Sequence, residues 1–307
     1  MRVIEYKYPS ATLPSATRAI ALGFFDGVHL GHRALLRECV EVARDEGLVP
    51  TVLTFPTEAM SIKSAAPRLY GTPEKLKLFE ECGILQTIIV NFDSVAGLSP
   101  VDFVTRVLVG DLGARVALAG ENFRFGHRAE GDADMLVRLM SASGGRAYIH
   151  KMEECTLPSG ERVTVSSTLI RELLSRGMVE DANLLLGAPY RILGTVIRGN
   201  GMGTSLGFPT VNTDVPEDSP LCRGVYRTEL CVGGNSYPAL TNVGTCPTFT
   251  ERKVHAETFI PSFSGDVYGE AVEIRFLEFI REERAFASPE ELTREVKRNI
   301  DYVMKGR

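Results

Sequence analysis

The chain has 307 residues and a formal net charge of −5, with 44% hydrophobic and 24% charged residues. This length suffices for two domains of ordinary size, and the composition is typical of a soluble globular protein. No apolar run approaches the ~20 residues of a transmembrane helix, and the first residues lack the apolar centre of a signal peptide. The absence of basic runs argues against nucleic acid as the main partner.

The six cysteines are scattered along the chain without a CxxC pair, and several of them fall in apolar patterns. Such cysteines are typical of reduced core residues in a cytoplasmic protein. We therefore expect a cytoplasmic location, small-molecule partners and no membrane partner. The sequence does not indicate an oligomeric state.

Residues 1–187 alternate strand and helix patterns, which predicts an α/β domain with a parallel sheet and right-handed crossovers. The predicted strands are 19–23, 48–55, 84–92, 114–123 and 146–152. The predicted helices begin at 31 and cover 73–83, 99–113, 133–145, 165–177 and 179–187.

Beyond Gly187 the pattern changes to strand-like segments separated by turn residues, which predicts an antiparallel barrel or sandwich. A single helix over 288–305 closes the chain, and its start is marked by a Ser-Pro pair followed by Glu291. We therefore predict two domains, 1–187 and 188–307.

The most informative segment is ALGFFDGVHLGHRALL at 21–36, a strand, a tight turn and a helix start. Backbone N–H groups at such a helix start favour anions such as phosphate, and His29 and His32 would stand beside them as neutral donors or as cations. Packing or capping by the imidazoles is one alternative, and a zinc site is another. Since no accompanying set of ligands has metal-binding spacing, we favour nucleotide phosphate over zinc, with packing second.

Two further segments place polar groups near the same edge of the predicted sheet. GENFRFGHRAEGD at 120–132 offers the Asn122 amide and two phenylalanines that could flank a flat ring. SSTLIR at 166–171 offers hydroxyls and Arg171 at a helix start, which suits phosphate. Taken alone, the first could be an ordinary loop and the second a capped helix with a solvated arginine.

Taken together and in this order, the three segments resemble the HxGH nucleotidyltransferase superfamily. Their residue sequences are similar to those of the FMN adenylyltransferase half of prokaryotic bifunctional riboflavin kinase/FAD synthetases. The resemblance implies a Rossmann-like parallel sheet in which His29 and His32 contact the ATP phosphates and Asn122 lies near the flavin. It also implies nucleotide or triphosphate contacts for Gly23, Phe24, Ser167, Thr168 and Arg171.

The second half contains the densest glycine stretch, GNGMGTSLGFPTVN at 199–212, which is neither a Walker A motif nor a dinucleotide fingerprint. A flexible hairpin loop is one interpretation of it. Its ending places Thr210 and Asn212 on one side of an extended segment, and neutral oxygens suit Mg²⁺. This ending resembles the PTAN signature of riboflavin kinases, with Val211 in place of alanine.

The riboflavin kinase resemblance extends over segments 224–226, 242–249, 256–260, 264–270 and 281–286. It implies an antiparallel barrel in which Thr210 and Asn212 hold Mg–ATP and Glu257 is the general base. Without these surrounding motifs, Glu257 would be interpreted as a solvated strand carboxylate. The resemblance also assigns an ATP loop to four glycines, Gly199, Gly201, Gly203 and Gly207.

Besides Val211, the chain departs from the family pattern at four places. Thr204 stands where the family has an arginine in the glycine-rich loop. The Glu-Thr-His triplet common in the family ends in Phe259 in this chain. Asn122 replaces an aspartate, and the segment 53–60 lacks a histidine.

The hypothesis from the sequence is a two-domain enzyme. Its C-terminal domain phosphorylates riboflavin to FMN with Mg–ATP, and its N-terminal domain adenylylates FMN to FAD with release of pyrophosphate. Two alternatives remain open: an enzyme with only one active site, and a flavin-binding regulator without turnover.

Overall fold

A computed structural model describes residues 1–9, 16–57, 66–198, 207–245, 254–261, 263 and 265–305. These residues form two compact units. The first comprises Met1–Ala66 and Tyr70–Ser167, and the second comprises Pro67–Leu69 and Thr168–Arg307. Within the described part of the chain, no helix is long and apolar enough to cross a membrane.

The first unit is built on a six-stranded sheet in which every neighbouring pair is parallel. Its spatial order is β1-β4-β3-β2-β5-β6, and the strands are β1 Arg2–Tyr6, β2 Arg18–Leu22, β3 Val49–Thr54, β4 Gln86–Val90, β5 Ala114–Gly120 and β6 Arg146–His150. The central strand β2 is buried along its whole length, as expected in a parallel sheet covered by helices. The predicted α/β fold is confirmed.

Among the described residues of the first unit, five longer helical segments connect these strands. They are α1 Leu30–Glu46, α2 Thr72–Glu81, α3 Phe92–Val95, α4, which is α-helical over Pro100–Asp102 and π-helical over Phe103–Asp111, and α5 Ala133–Ala142. Because consecutive parallel strands end at the same edge of the sheet, the loops after β2, β3 and β5 lie near one another. This edge holds the segments singled out in the sequence.

Sequence reasoning missed β1 and a small hairpin, β7 Glu154–Thr156 with β8 Arg162–Thr164. In β1 only Ile4 and Tyr6 are buried, because the strand lies at the edge of the sheet. It therefore lacks the continuous apolar run by which the central strands are recognised.

Helix α6, Ser167–Ser175, belongs to the second unit from Thr168 onward, together with α7 Val179–Leu186 and an antiparallel sheet of order β10-β13-β12-β11-β14-β9. Its strands are β9 Tyr190–Thr195, β10 Thr210–Asp214, β11 Gly224–Val232, β12 Asn235–Thr245, β13 Val254–Phe259 and β14 Ala271–Arg281. The Ile197 amide donates to the Asn212 carbonyl at 2.8 Å, which links the two edges of the sheet and curls it into a barrel. The last helix, α8 Pro289–Met304, begins after Ser288 as predicted.

The two helices before β9 pack with the second unit, although the sequence assigns them to the domain 1–187. The side-chain amide of Asn183 on α7 donates to the Phe276 carbonyl at 2.8 Å and accepts from the Tyr190 amide at 2.7 Å. The border between the two compact units therefore lies between Ser167 and Thr168. The boundary at 187/188, as a border between two activities, stays a prediction.

Replacing Asn183 by alanine should lower the stability of the second unit by about 1–3 kcal/mol, because two half-buried backbone groups lose their partner. The measurement is the urea midpoint of the full chain. Asn235→Ala, at an exposed position whose amide makes one long bond to the Gly233 carbonyl (3.4 Å), is the matched control. Equal midpoints for the two variants would contradict the proposed role of Asn183.

Candidate active sites

The loop between β2 and α1 is strained. Phe25 and Val28 have positive φ angles of 55° and 41°, a conformation that non-glycine residues, and β-branched ones above all, rarely adopt. Both side chains are buried, and this burial offsets the strain. The turn ends at His29, which immediately precedes α1.

His29 and His32 stack at the start of α1, with ring centroids 3.7 Å apart and planes 15° apart. Nδ1 of His29 accepts a long hydrogen bond of 3.4 Å from the His32 amide and so caps the helix. Capping of the helix, one of the alternatives from the sequence, therefore involves only Nδ1 of His29. The other polar atom of the ring is Nε2. Nδ1 of His32 is buried and has no hydrogen-bond partner among the described residues.

Both histidines are neutral at pH 7. Burial lowers the pKa of His29 from 6.5 to about 4. The pKa of His32 also lies well below its ordinary value, mainly because of burial and further because of the charges of His29 and Lys75. Of the two states allowed by the sequence, the structure favours neutral donors over cations.

The structure gives no support to a zinc site. The described residues contain no group of three His, Cys, Asp or Glu side chains that could hold a metal ion. The nearby His150 instead lies between two carboxylates, 3.2 Å from Glu38 and 3.3 Å from Glu153.

The loop after β5 carries Asn122, whose side chain is exposed. The rings of Phe123 and Phe125 stack on each other with centroids 5.6 Å apart, and Phe125 is buried against Phe103. Phe125 is thus part of the core, so it is not available to flank a ligand ring as the sequence suggested. Phe123 is only half-buried.

Ser167 joins the histidine loop from the start of α6. Its Oγ donates to the Asp26 carbonyl at 2.8 Å, so the hydroxyl proton is used within the protein. Thr168 and Arg171 follow on the same helix and belong to the second unit. Their contact with a triphosphate stays a prediction.

Lys75 is a residue that sequence reasoning missed. It is only 1% exposed, its Nζ donates to Thr54 Oγ1 at 3.2 Å, and it lies 4.3 Å from the centre of the Phe24 ring. The signal was present, because Lys75 shares the helical spacing of the buried Leu78 and Phe79. A lysine on an apolar helix face calls for an explanation.

In the second unit, the strand register places Glu257 of β13 directly between Asn212 of β10 and Asn242 of β12. Directly opposed residues in antiparallel strands point to the same face. Thr210, two residues before Asn212 in the same strand, shares that face. One face of the sheet thus presents a carboxylate flanked by neutral oxygen and amide groups.

The pKa of Glu257 is raised above its ordinary value, mainly by burial; nearby His255 lowers it and Glu283 raises it. Glu283 accepts a hydrogen bond from the Asn242 side chain at 3.3 Å and lies over Gly244, where a Cβ would collide with its carboxylate. Sequence reasoning matched the segments holding Asn242 and Glu283 but gave neither residue a role.

The described residues include only the end of the glycine-rich loop, from Gly207. Gly207 has a φ of +85° with open space around its Cα. Gly199, Gly201, Gly203 and Thr204 lie outside the described residues, as do parts of the segments 53–60 and 242–249.

Removing His29 should weaken the dependence of stability on pH. The folded protein binds a proton at His29 near pH 4 and the unfolded chain near 6.5, so acid favours unfolding between these values. From pH 6.5 down to about 4, the wild type should lose about 3 kcal/mol relative to His29→Gln. Urea titrations across this range measure the effect, with exposed His127→Gln as the control. Parallel curves for wild type and His29→Gln would show that His29 is not held neutral.

Two family models match the chain: FAD synthetase over residues 13–169 and riboflavin kinase over residues 186–306. A bifunctional riboflavin kinase/FMN adenylyltransferase of Bacillus subtilis is 32% identical, over 97% of this chain and 96% of that protein. The protein of the same name from Escherichia coli K12 is also 32% identical, with the same coverage.

A solved structure shares the fold throughout. The crystal structure described as a macrolide-efflux protein from Streptococcus pneumoniae superimposes with a TM-score of 0.86 and 26% identity, covering 100% of both chains. From the two family models and the relatives above 30% identity, the chain belongs to the family of bifunctional riboflavin kinase/FMN adenylyltransferases.

Proposed function

We propose that the second unit phosphorylates riboflavin to FMN with Mg–ATP and that the first unit adenylylates FMN to FAD. The observation that carries this proposal is the pairing of two different chemistries on one chain. One unit presents a half-buried carboxylate of raised pKa between two amides, and the other presents a stacked pair of neutral histidines at a helix start.

The kinase reaction needs a base, because the ribityl 5′-hydroxyl of riboflavin is a weak nucleophile. Glu257 takes the hydroxyl proton as the oxygen attacks the γ-phosphorus, and the bond to the β,γ-bridging oxygen breaks to release ADP. Burial makes the Glu257 carboxylate a better base by raising its pKa. Asn212 and Asn242 orient it from the two flanking strands.

Thr210 and Asn212 are the residues that would hold Mg²⁺. Their neutral oxygens suit an ion that keeps several waters and is shared with substrate phosphates. When bound, Mg²⁺ neutralises part of the phosphate charge that develops during transfer.

The adenylyl transfer needs no general base. A phosphate oxygen of FMN is already anionic, attacks the α-phosphorus of ATP, and displaces pyrophosphate with no proton to remove. His29 and His32, being neutral, donate hydrogen bonds from ring N–H groups to phosphate oxygens. The start of α1 adds the favourable end of a helix dipole.

We infer small molecules as the ligands of both sites, a cytoplasmic location and no nucleic-acid partner. The retention of Glu257, His29 and His32 supports two active sites over one, and over a regulator without turnover. Loss of the loop arginine at Thr204 and of the histidine at Phe259 is expected to change the affinity or rate of the kinase site.

The two activities should separate by substitution. Glu257→Gln should reduce FMN formation from riboflavin by at least about 100-fold, since the base is lost, and should leave the conversion of supplied FMN to FAD intact. His29→Ala combined with His32→Ala should do the reverse. Chromatographic separation of riboflavin, FMN and FAD over time measures both activities.

Exposed Glu282→Gln controls for the change of charge in this experiment. If each substitution removed both activities while the protein stayed folded, the assignment of two independent sites would be wrong.

Gly244→Ala should impair the kinase without affecting FAD formation from FMN. The added methyl group collides with the Glu283 carboxylate and separates it from Asn242, so we expect kcat/KM for riboflavin to fall by about 10-fold or more. Gly97→Ala, where a Cβ meets open space, is the control. An unchanged kcat/KM in Gly244→Ala would show that the Asn242–Glu283 contact does not support the site.

A further inference from the structure

A buried cation lies beneath the histidine loop and has no part in the mechanism described so far. Lys75, in the first turns of α2, is 1% exposed. Its Nζ donates to Thr54 Oγ1 at 3.2 Å and to the Phe55 carbonyl at 3.5 Å, both at the carboxyl end of β3. Removing an ammonium group from water is costly, and its helix neighbours Leu78 and Phe79 are apolar. Packing alone would therefore favour an apolar residue at this position.

The contacts of Lys75 converge on the residue that follows β2. Its Nζ lies 4.3 Å from the centre of the Phe24 ring, within cation–π distance. The Thr54 hydroxyl, which accepts from Lys75, donates in turn to the Phe24 carbonyl at 3.1 Å. Lys75 thus fixes both the ring and, through Thr54, the backbone of Phe24.

The same helix supports the next residue of the loop. Phe79, four residues after Lys75, contacts the Phe25 ring edge-on with centroids 5.6 Å apart. Phe25 in turn contacts His32 at 5.2 Å. The positive charge of Lys75 also acts on His32, because it helps to lower the pKa of that imidazole.

We propose that Lys75 is a positioning residue for adenylyl transfer, which holds Phe24 and the end of β3 in place and fixes a positive charge behind the stacked histidines. This inference rests on the proposed FMN adenylyltransferase activity. Two neutral imidazoles donate hydrogen bonds but bring no net charge to a site that must hold ATP and the FMN phosphate. A fixed cation in a poorly solvated interior attracts such anions over a longer range than it would in water.

The test compares three variants in the conversion of FMN to FAD. Lys75→Met removes the charge and keeps the length, and Lys75→Arg keeps the charge. Lys77→Met removes the charge of an exposed lysine on the same helix. We expect kcat/KM for ATP to fall about 30-fold in Lys75→Met, to recover to within about 5-fold of wild type in Lys75→Arg, and to be unchanged in Lys77→Met.

The pH profile separates an electrostatic role from a merely structural one. Because Lys75 lowers the pKa of His32, its removal lets His32 bind a proton at higher pH. The acid limb of the residual Lys75→Met activity should therefore move to higher pH. Riboflavin phosphorylation, measured in the same samples, should be unchanged in all three variants.

Activity of Lys75→Met within threefold of wild type, or an equal loss in Lys75→Met and Lys75→Arg, would overturn the proposal. If Lys75→Met does not fold, Thr54→Val is tested in its place. This variant removes the hydroxyl between Lys75 and Phe24 but keeps the charge of Lys75. An unchanged kcat/KM for ATP in Thr54→Val would overturn the positioning role. A wild-type protein that makes no FAD from FMN would refute the proposed activity itself. FAD formation at the same rate with and without Lys75 would refute only the role of Lys75.

Discussion

The stacking of His29 on His32 is the contact on which the first site depends. Two imidazole rings 3.7 Å apart at one helix start would repel each other if both were protonated, and burial lowers the pKa of each. Under the proposed function, these neutral rings and the start of α1 donate hydrogen bonds to a triphosphate. The charge of Lys75 acts on His32.

The reaction proposed for the second unit has a different kind of nucleophile. Its nucleophile is a hydroxyl that must lose a proton, whereas the nucleophile of the first unit is already an anion. The base proposed for it is Glu257, which the strand register places between Asn212 and Asn242. Burial and Glu283 raise the pKa of Glu257 and His255 lowers it, with a net increase.

The sequence predicted the parts of the fold that local patterns encode: buried strands, helix starts and the change from parallel to antiparallel architecture. It missed β1, because an edge strand is buried on alternate residues only. It gave no sign that α7 is bound to β14, because the bond from Asn183 to Phe276 joins residues far apart in the sequence. It proposed His29 and His32 as phosphate ligands but left their charge state open, because that state depends on burial. The Asn212–Glu257–Asn242 row depends on strand register, which hydrophobic patterns alone do not fix here. Lys75 went unnoticed because no motif contains it.

The central claim is that one chain uses different phosphates of ATP at two separate sites. Purified protein supplied with riboflavin, Mg²⁺ and ATP labelled with ³²P at either the α- or the γ-position tests it most directly. The γ-label should enter FMN and persist in FAD, whereas the α-label should enter FAD alone. An unlabelled FMN pool with γ-labelled ATP, or FAD that lacks the α-label, would contradict the account.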